Sequence, residues 1–221
     1  MINILLTGVG GQGTVLAAKI LATAAASHGW QVRTAETIGM SQRGGSVVSH
    51  VRIGDKGEEI HAPLITLGTA NLIIAFEPAE GARVLPYLAK DGMLVSATTA
   101  VRPPSEALSG ETYTADEIIE SIKSSFYNAM AKRIIHEKNR PEKQPKLLTV
   151  EDSAVINILG GNRKVLNTVL LAAAISQKSV PITINDLYQA IPLCVKPDYV
   201  TLNLKALETT LEGTRYDADE D

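Results

Sequence analysis

The chain has 221 residues, 45% hydrophobic content, a net charge of -3 and a pI near 5.8. That is enough apolar material for one sizeable core, with no basic bias toward nucleic acid or an anionic membrane surface. Its single cysteine, Cys194, excludes a disulfide framework and a four-cysteine iron–sulfur site within the chain.

The start, "MINILLTG", lacks the basic segment of a signal peptide and no stretch is long and uncharged enough to span a bilayer, so a cytoplasmic protein is expected. Ile2 to Thr7 is a continuous apolar run, the pattern of a buried parallel strand. It ends in "GVGGQGT", after which Thr14 to His28 reads as a helix that is apolar almost all round. Trp30 to Ala35 follows as a second strand. In "GGSVVSHVRIGDKGEEIHAP", Val47, Val51 and Ile53 alternate with Val48, His50 and Arg52, and Gly54 to Gly57 reads as a turn. An inserted β-hairpin over about 45–62 is expected.

Further strands are expected at Asn71 to Phe76 and Met93 to Ser96, separated by a helix opening at Glu77-Pro78 and ending near Asp91-Gly92. Asp116 to Glu137 is helical, and "KNRPEKQPK" is a charged linker before the short strand "LLTVE". Helices close the chain at Asn162 to Gln177, Ile184 to Ile191 and Asp198 to Leu211, before an acidic tail over 215–221. Alternating strands and helices imply a Rossmann-like α/β fold: one domain over 1–214, with a mostly parallel sheet covered by helices on both faces. Ligands of such sheets sit at the carboxyl ends of the strands.

Gly8-x-Gly10-x-x-Gly13 matches the dinucleotide fingerprint in its required place, after a strand and opening a helix. Free N–H groups at a helix start favour an anion, and Glu36 stands where a ribose-binding acid belongs. The same turn also serves plain strand–helix packing. Thr14-Val15 occupies the place of the Lys-Ser or Lys-Thr of a P-loop, so that reading fails. A free-standing NAD-dependent oxidoreductase lacks an obvious His–acid pair in what remains of the chain. His50 and His61 have no further ligands nearby and read as strand-surface residues, so no metal site is assigned. Cys194 reads as a buried, inert thiol.

"GVGGQGTVLAAKILA", "SQRGGSVVSHVRIGD", "LIIAFEPAEGARVLPYL" and "PDYVTLNLKALE" together resemble the gamma-type domain of the 2-oxoacid:ferredoxin oxidoreductases. The segments run from the first strand to the last helix. The stretch 116–146 is longer than the family usually carries. The resemblance implies a non-catalytic subunit, of the branch acting on indolepyruvate and other aryl pyruvates, in a complex that converts a 2-oxoacid and coenzyme A (CoA) to acyl-CoA and carbon dioxide. Pyruvate or 2-oxoglutarate is the alternative substrate, and a nucleotide-binding assembly module the alternative role. It also implies thiamine diphosphate with Mg and iron–sulfur clusters on a large partner subunit, with electrons passing to ferredoxin. Isolated, the chain is expected to self-associate or to bind that partner. The residues so implicated are Gly8, Gly10, Gly11, Gln12, Gly13 and Thr14, as a turn facing a CoA phosphate or the partner's backbone. A second set, Met40, Ser41, Gln42, Arg43, Gly44 and Gly45, forms a loop on the same path, where Arg43 suits a phosphate or carboxylate. Asn167 and Asn203, polar residues within apolar helices, also resemble family positions; polar residues in such places often satisfy loop backbone, and no catalytic role is assigned to them.

Overall fold

A computed structural model describes residues 1–39, 45–101, 113–136 and 144–216. The elements, in chain order, are β1 (Ile2–Val9), α1 (Thr14–Ser27), β2 (Gln31–Ile38), β3 (Ser46–Gly54), β4 (Ala70–Ala75), α2 (Pro78–Val84), β5 (Leu88–Ala97), α3 (Ala115–His136), β6 (Lys146–Val150), α4 (Asp152–Ile158), α5 (Leu166–Ser176), α6 (Ile184–Cys194) and α7 (Pro197–Tyr216). Among the described residues, no helix is long and apolar enough to cross a membrane.

The six strands form one sheet in the order β2-β3-β1-β4-β5-β6. The pairs β1·β4, β4·β5 and β5·β6 are parallel, and β3 runs antiparallel to both β1 and β2. β1 is the spine. Alternate residues face opposite sides of a strand, so Ile4 and Leu6 join one core while Leu5 joins the other. The larger core lies under α1, α4, α5, α6 and α7; the smaller lies under α2 and α3. The sheet is therefore mostly parallel and covered on both faces, as expected. Helix α5 is buried from Leu166 through Ile175, which explains its all-round apolar sequence.

Three expectations need correction. The antiparallel pairing near residues 45–62 is not a hairpin closed by Gly54–Gly57: β3 pairs back onto β2 and is inserted between β2 and β1, and no strand follows Gly57 before β4. Asp91-Gly92 does not terminate a helix but lies within β5, where the register with β4 shifts. A Cβ on Gly92 would stand 2.6 Å from the Ala70 carbonyl oxygen, so glycine is what lets the strands approach there. Finally, α4 is a helix where no element was expected. Its seven residues are too few to show a helical period.

Asp152, fully buried at the start of α4, holds the carboxyl ends of β5 and β6 together. Its Oδ1 accepts from the Thr98 and Thr99 N–H groups at 3.1 Å each, and its Oδ2 pairs with Arg163 at 3.0 Å. Removing it takes the acceptor from the Thr99 amide, leaves the Thr98 amide with the Val150 carbonyl alone, and removes the carboxylate partner of the partly exposed Arg163. Asp152→Ala is expected to cost about 3 kcal/mol in denaturant unfolding, while Asp152→Asn, which keeps an acceptor for both amides, costs about 1 kcal/mol; equal costs would contradict this role.

Candidate functional site

The glycine turn sits at the carboxyl edge of the sheet, as the strand–turn–helix pattern requires. Its organising side chain is Gln12. The Gln12 Oε1 accepts from the Val9 N–H at 2.7 Å, and its Nε2 donates to the Phe76 carbonyl at 2.9 Å. One amide thereby bridges the end of β1 and the end of β4. The Phe76 N–H donates to the Thr7 carbonyl at 2.8 Å, extending the same junction in the backbone.

Gly8 is required by this bridge. A Cβ there would stand 2.7 Å from Gln12 Oε1, 2.8 Å from Phe76 Cβ and 3.1 Å from Thr14 Cγ2. Thr14 is itself buried, with its methyl packed on that glycine. Gly10 keeps an ordinary φ, and its N–H donates to the Gly45 carbonyl at 2.9 Å, so the turn is tied to the end of the second candidate loop. Met40, Ser41, Gln42, Arg43 and Gly44 lie outside the described residues.

Gly11 and Gly13 adopt left-handed φ values of +100° and +90°, which glycine alone tolerates without strain. Gly13 caps α1 without a side chain. The Gly11, Gly13 and Thr14 N–H groups have no backbone partner among the described residues. The turn thus divides into two parts. Gly8, Gln12 and Thr14 are consumed by packing and by the bridge, whereas Gly11 and Gly13 leave backbone donors at the positive end of α1.

Glu36 does not reach this turn. Because β3 stands between β1 and β2, Glu36 is displaced by two strand spacings, about 10 Å. It lines a shallow groove with Val15, Lys19 and Val32 instead. A bound dinucleotide would find no ribose-binding acid from β2 beside the turn.

On the other face, α2 contributes two buried carboxylates that composition alone did not mark. Glu77 caps α2: its Oε2 accepts from the Glu80 N–H at 2.9 Å and its Oε1 from the Tyr113 hydroxyl at 2.9 Å. Glu80 accepts from Ser46 Oγ at 2.6 Å, tying α2 to the start of β3. Burial lifts the Glu77 carboxyl above the usual range, against its hydrogen bonds. The sequence signal for this pair was a proline at the first helical position preceded by an acid.

His50 is not on the strand surface. It is buried, its Nδ1 accepts from the Ile65 N–H at 3.2 Å, and its ring meets the edge of Tyr87. His61 is exposed beside Glu59. Cys194 is half-buried, with its Sγ 3.3 Å from Thr23 Oγ1. Asn203 bridges α7 and α5: its Nδ2 donates to the Tyr199 carbonyl at 2.8 Å and its Oδ1 accepts from Thr168 Oγ1 at 2.6 Å.

The fold and this turn define an α/β domain that presents backbone donors at one sheet edge but lacks the acid of a dinucleotide site. Residues 3–213 match the model of the pyruvate ferredoxin/flavodoxin oxidoreductase family, and the chain belongs to that family. It is 33% identical over 213 residues to a Pyrococcus horikoshii protein, covering 96% of each chain, and 36% identical over 208 residues to one from Archaeoglobus fulgidus, covering 94% of this chain and 92% of that one. Both are called Indolepyruvate oxidoreductase subunit IorB. Among solved structures, it resembles the 2-oxoglutarate:ferredoxin oxidoreductase of Magnetococcus marinus with 2-oxoglutarate, coenzyme A and succinyl-CoA bound. The TM-score is 0.65 at 17% identity, over 96% of this chain and 30% of that one. The same fold is there one part of a much longer chain. The family match runs through the long stretch 116–146, whose described parts are the helix α3 and residues 144–146 leading into β6.

The bridge predicts an order of costs in denaturant unfolding. Gly8→Ala should lose about 2 kcal/mol or more through the clash, and Gln12→Ala about 2 kcal/mol through two unmade hydrogen bonds. Gly11→Ala, with open space around it, should lose only about 1 kcal/mol, from its φ. A Gly11 variant as costly as a Gly8 variant would contradict this division.

The Glu77 carboxyl, raised in the folded state, favours folding most when it is protonated. Its contribution is fully present below the ordinary glutamate range and is lost as pH rises through the raised value. Glu77→Gln should therefore unfold with a flatter pH dependence as pH rises above the ordinary glutamate value of about 4, and an unchanged slope would show that Glu77 does not carry the effect.

Proposed function

We propose that this chain is the small (beta) subunit of an indolepyruvate ferredoxin oxidoreductase, needed for turnover but unable to perform it alone. The observation that carries this reading is the likeness to proteins called Indolepyruvate oxidoreductase subunit IorB over nearly the whole length of both chains. The reaction is the oxidative decarboxylation of aryl pyruvates with CoA, with electrons passing to ferredoxin. Thiamine diphosphate with Mg and the iron–sulfur clusters belong to the large partner subunit in this reading, where they supply the carbanion chemistry and carry the electrons away. The composition agrees, since one cysteine cannot provide four thiolates.

In this reading, the chain's own part is played at the carboxyl edge of the sheet. Gln12 fixes the shape of the turn, and the Gly11, Gly13 and Thr14 N–H groups face a CoA phosphate where the small subunit meets the large one. The loop from Met40 to Gly45, tied to the turn through Gly45, belongs to the same path, with Arg43 as its cationic group. Neither holds a cofactor firmly.

Co-expression with the large subunit tests the assignment. The two chains should co-purify, the small chain alone should be colourless and inactive, and the pair should turn over indolepyruvate in preference to pyruvate and 2-oxoglutarate. Full activity of the large subunit without this chain would overturn it. Gly11→Asp, which sets a carboxylate beside the incoming phosphate, should raise the apparent KM for CoA and leave that for the oxoacid little changed.

A further inference from the structure

Asn167, the second residue of α5, is the anomaly in the core behind the turn. It is 1% exposed, and neither its Nδ2 nor its Oδ1 has a hydrogen-bond partner among the described residues. Asn203, the buried asparagine of α7, is by contrast engaged by Tyr199 and Thr168. Buried amides in folded proteins are nearly always partnered, and one left unmade is costly. Its sequence neighbours in α5, Leu166, Thr168, Val169 and Leu170, are buried with it. The amide therefore weakens the fold where it stands.

Its position gives it a use. A Cβ built on Gly13 would lie 3.4 Å from Asn167 Cβ and 3.7 Å from its Nδ2, so the amide packs directly against the bare backbone of the turn. α1 begins at Gly13 with no side-chain cap. Its start brings a positive dipole end, and Gly11, Gly13 and Thr14 add N–H groups without a backbone partner among the described residues. These donors favour an oxygen-rich anion.

We infer that Asn167 completes a phosphate-binding site at the glycine turn, its Nδ2 donating to a phosphoryl oxygen that the Gly11, Gly13 and Thr14 N–H groups also contact. The inference rests on the CoA reading of the turn and adds to it a side chain from a distant part of the sequence. A structural asparagine and a ligand-binding one are then distinguished by opposite effects on stability and affinity.

The test uses the assembled two-subunit enzyme with Asn167→Leu and Asn167→Asp. Asn167→Leu removes an unpaired amide at similar volume, so its thermal midpoint should be unchanged or higher. Its dissociation constant for CoA, measured without oxoacid, should rise about tenfold, as should the apparent KM for CoA, with the KM for indolepyruvate unchanged. Asn167→Asp should weaken CoA further by charge repulsion. Pantetheine, which lacks phosphate, should bind wild type and Asn167→Leu alike. Should CoA affinity of both Asn167 variants stay within twofold of wild type while Gly11→Asp still weakens it, Asn167 is not part of the site and the CoA reading stands. Should Gly11→Asp have no effect either, that reading falls as well. A loss of pantetheine binding equal to the loss of CoA binding would overturn the assignment to phosphate.

Discussion

The amide of Gln12 is the contact on which the rest of the site depends. By accepting from Val9 and donating to Phe76, it locks the end of β1 to the end of β4 across a parallel pair that has no turn of its own to join it. The amide can reach both groups only because Gly8 has no side chain. With the bridge made, the chain must leave β1 through left-handed residues, and α1 starts with its first amides unused. A generic glycine fingerprint explains close packing. The glutamine within it explains why this particular turn holds its shape.

The second consequence comes from β3. An antiparallel strand driven between β1 and β2 moves the β2 acid away from the turn and leaves β2 as an exposed edge. The fold keeps the anion-facing half of a dinucleotide site and loses the ribose-facing half. That suits a domain serving a phosphate-bearing substrate beside a catalytic partner better than one holding NAD. The buried Glu77 and Glu80 fix α2 on the opposite face of the sheet. Through Ser46 and Tyr113 they tie α2 to the start of β3 and to the residues just before α3.

Much of this was legible in the sequence, for physical reasons. Ile2 to Val9 had to be a buried strand because it is apolar on both faces, and α5 had to be interior because no polar stripe interrupts it. The turn was legible from glycine spacing, and the family from Gln12 and the segments that follow it. The order of strands was not. The alternation in Val47 to Ile53 marks a strand but does not say which neighbours it takes, and its pairing with β1 is a long-range choice made by the core. α4 was hidden by its shortness, and Gly92 looked like a stop when it is a close approach between strands. His50 looked like a surface residue because its partner, the Ile65 amide, comes from an irregular segment with no periodicity to read. Asn167 was visible as a polar residue in an apolar helix, but only the structure separates it from Asn203 by showing which of the two has partners.

Hydrogen exchange of the assembled enzyme, read over the peptide spanning Val9 to Leu16, addresses the central claim most directly, because it reports on the backbone amides themselves. Addition of CoA without oxoacid should slow exchange at Gly11, Gly13 and Thr14, while indolepyruvate alone should leave them unchanged. Identical exchange at these amides with and without saturating CoA would contradict the account and leave the turn as a packing device.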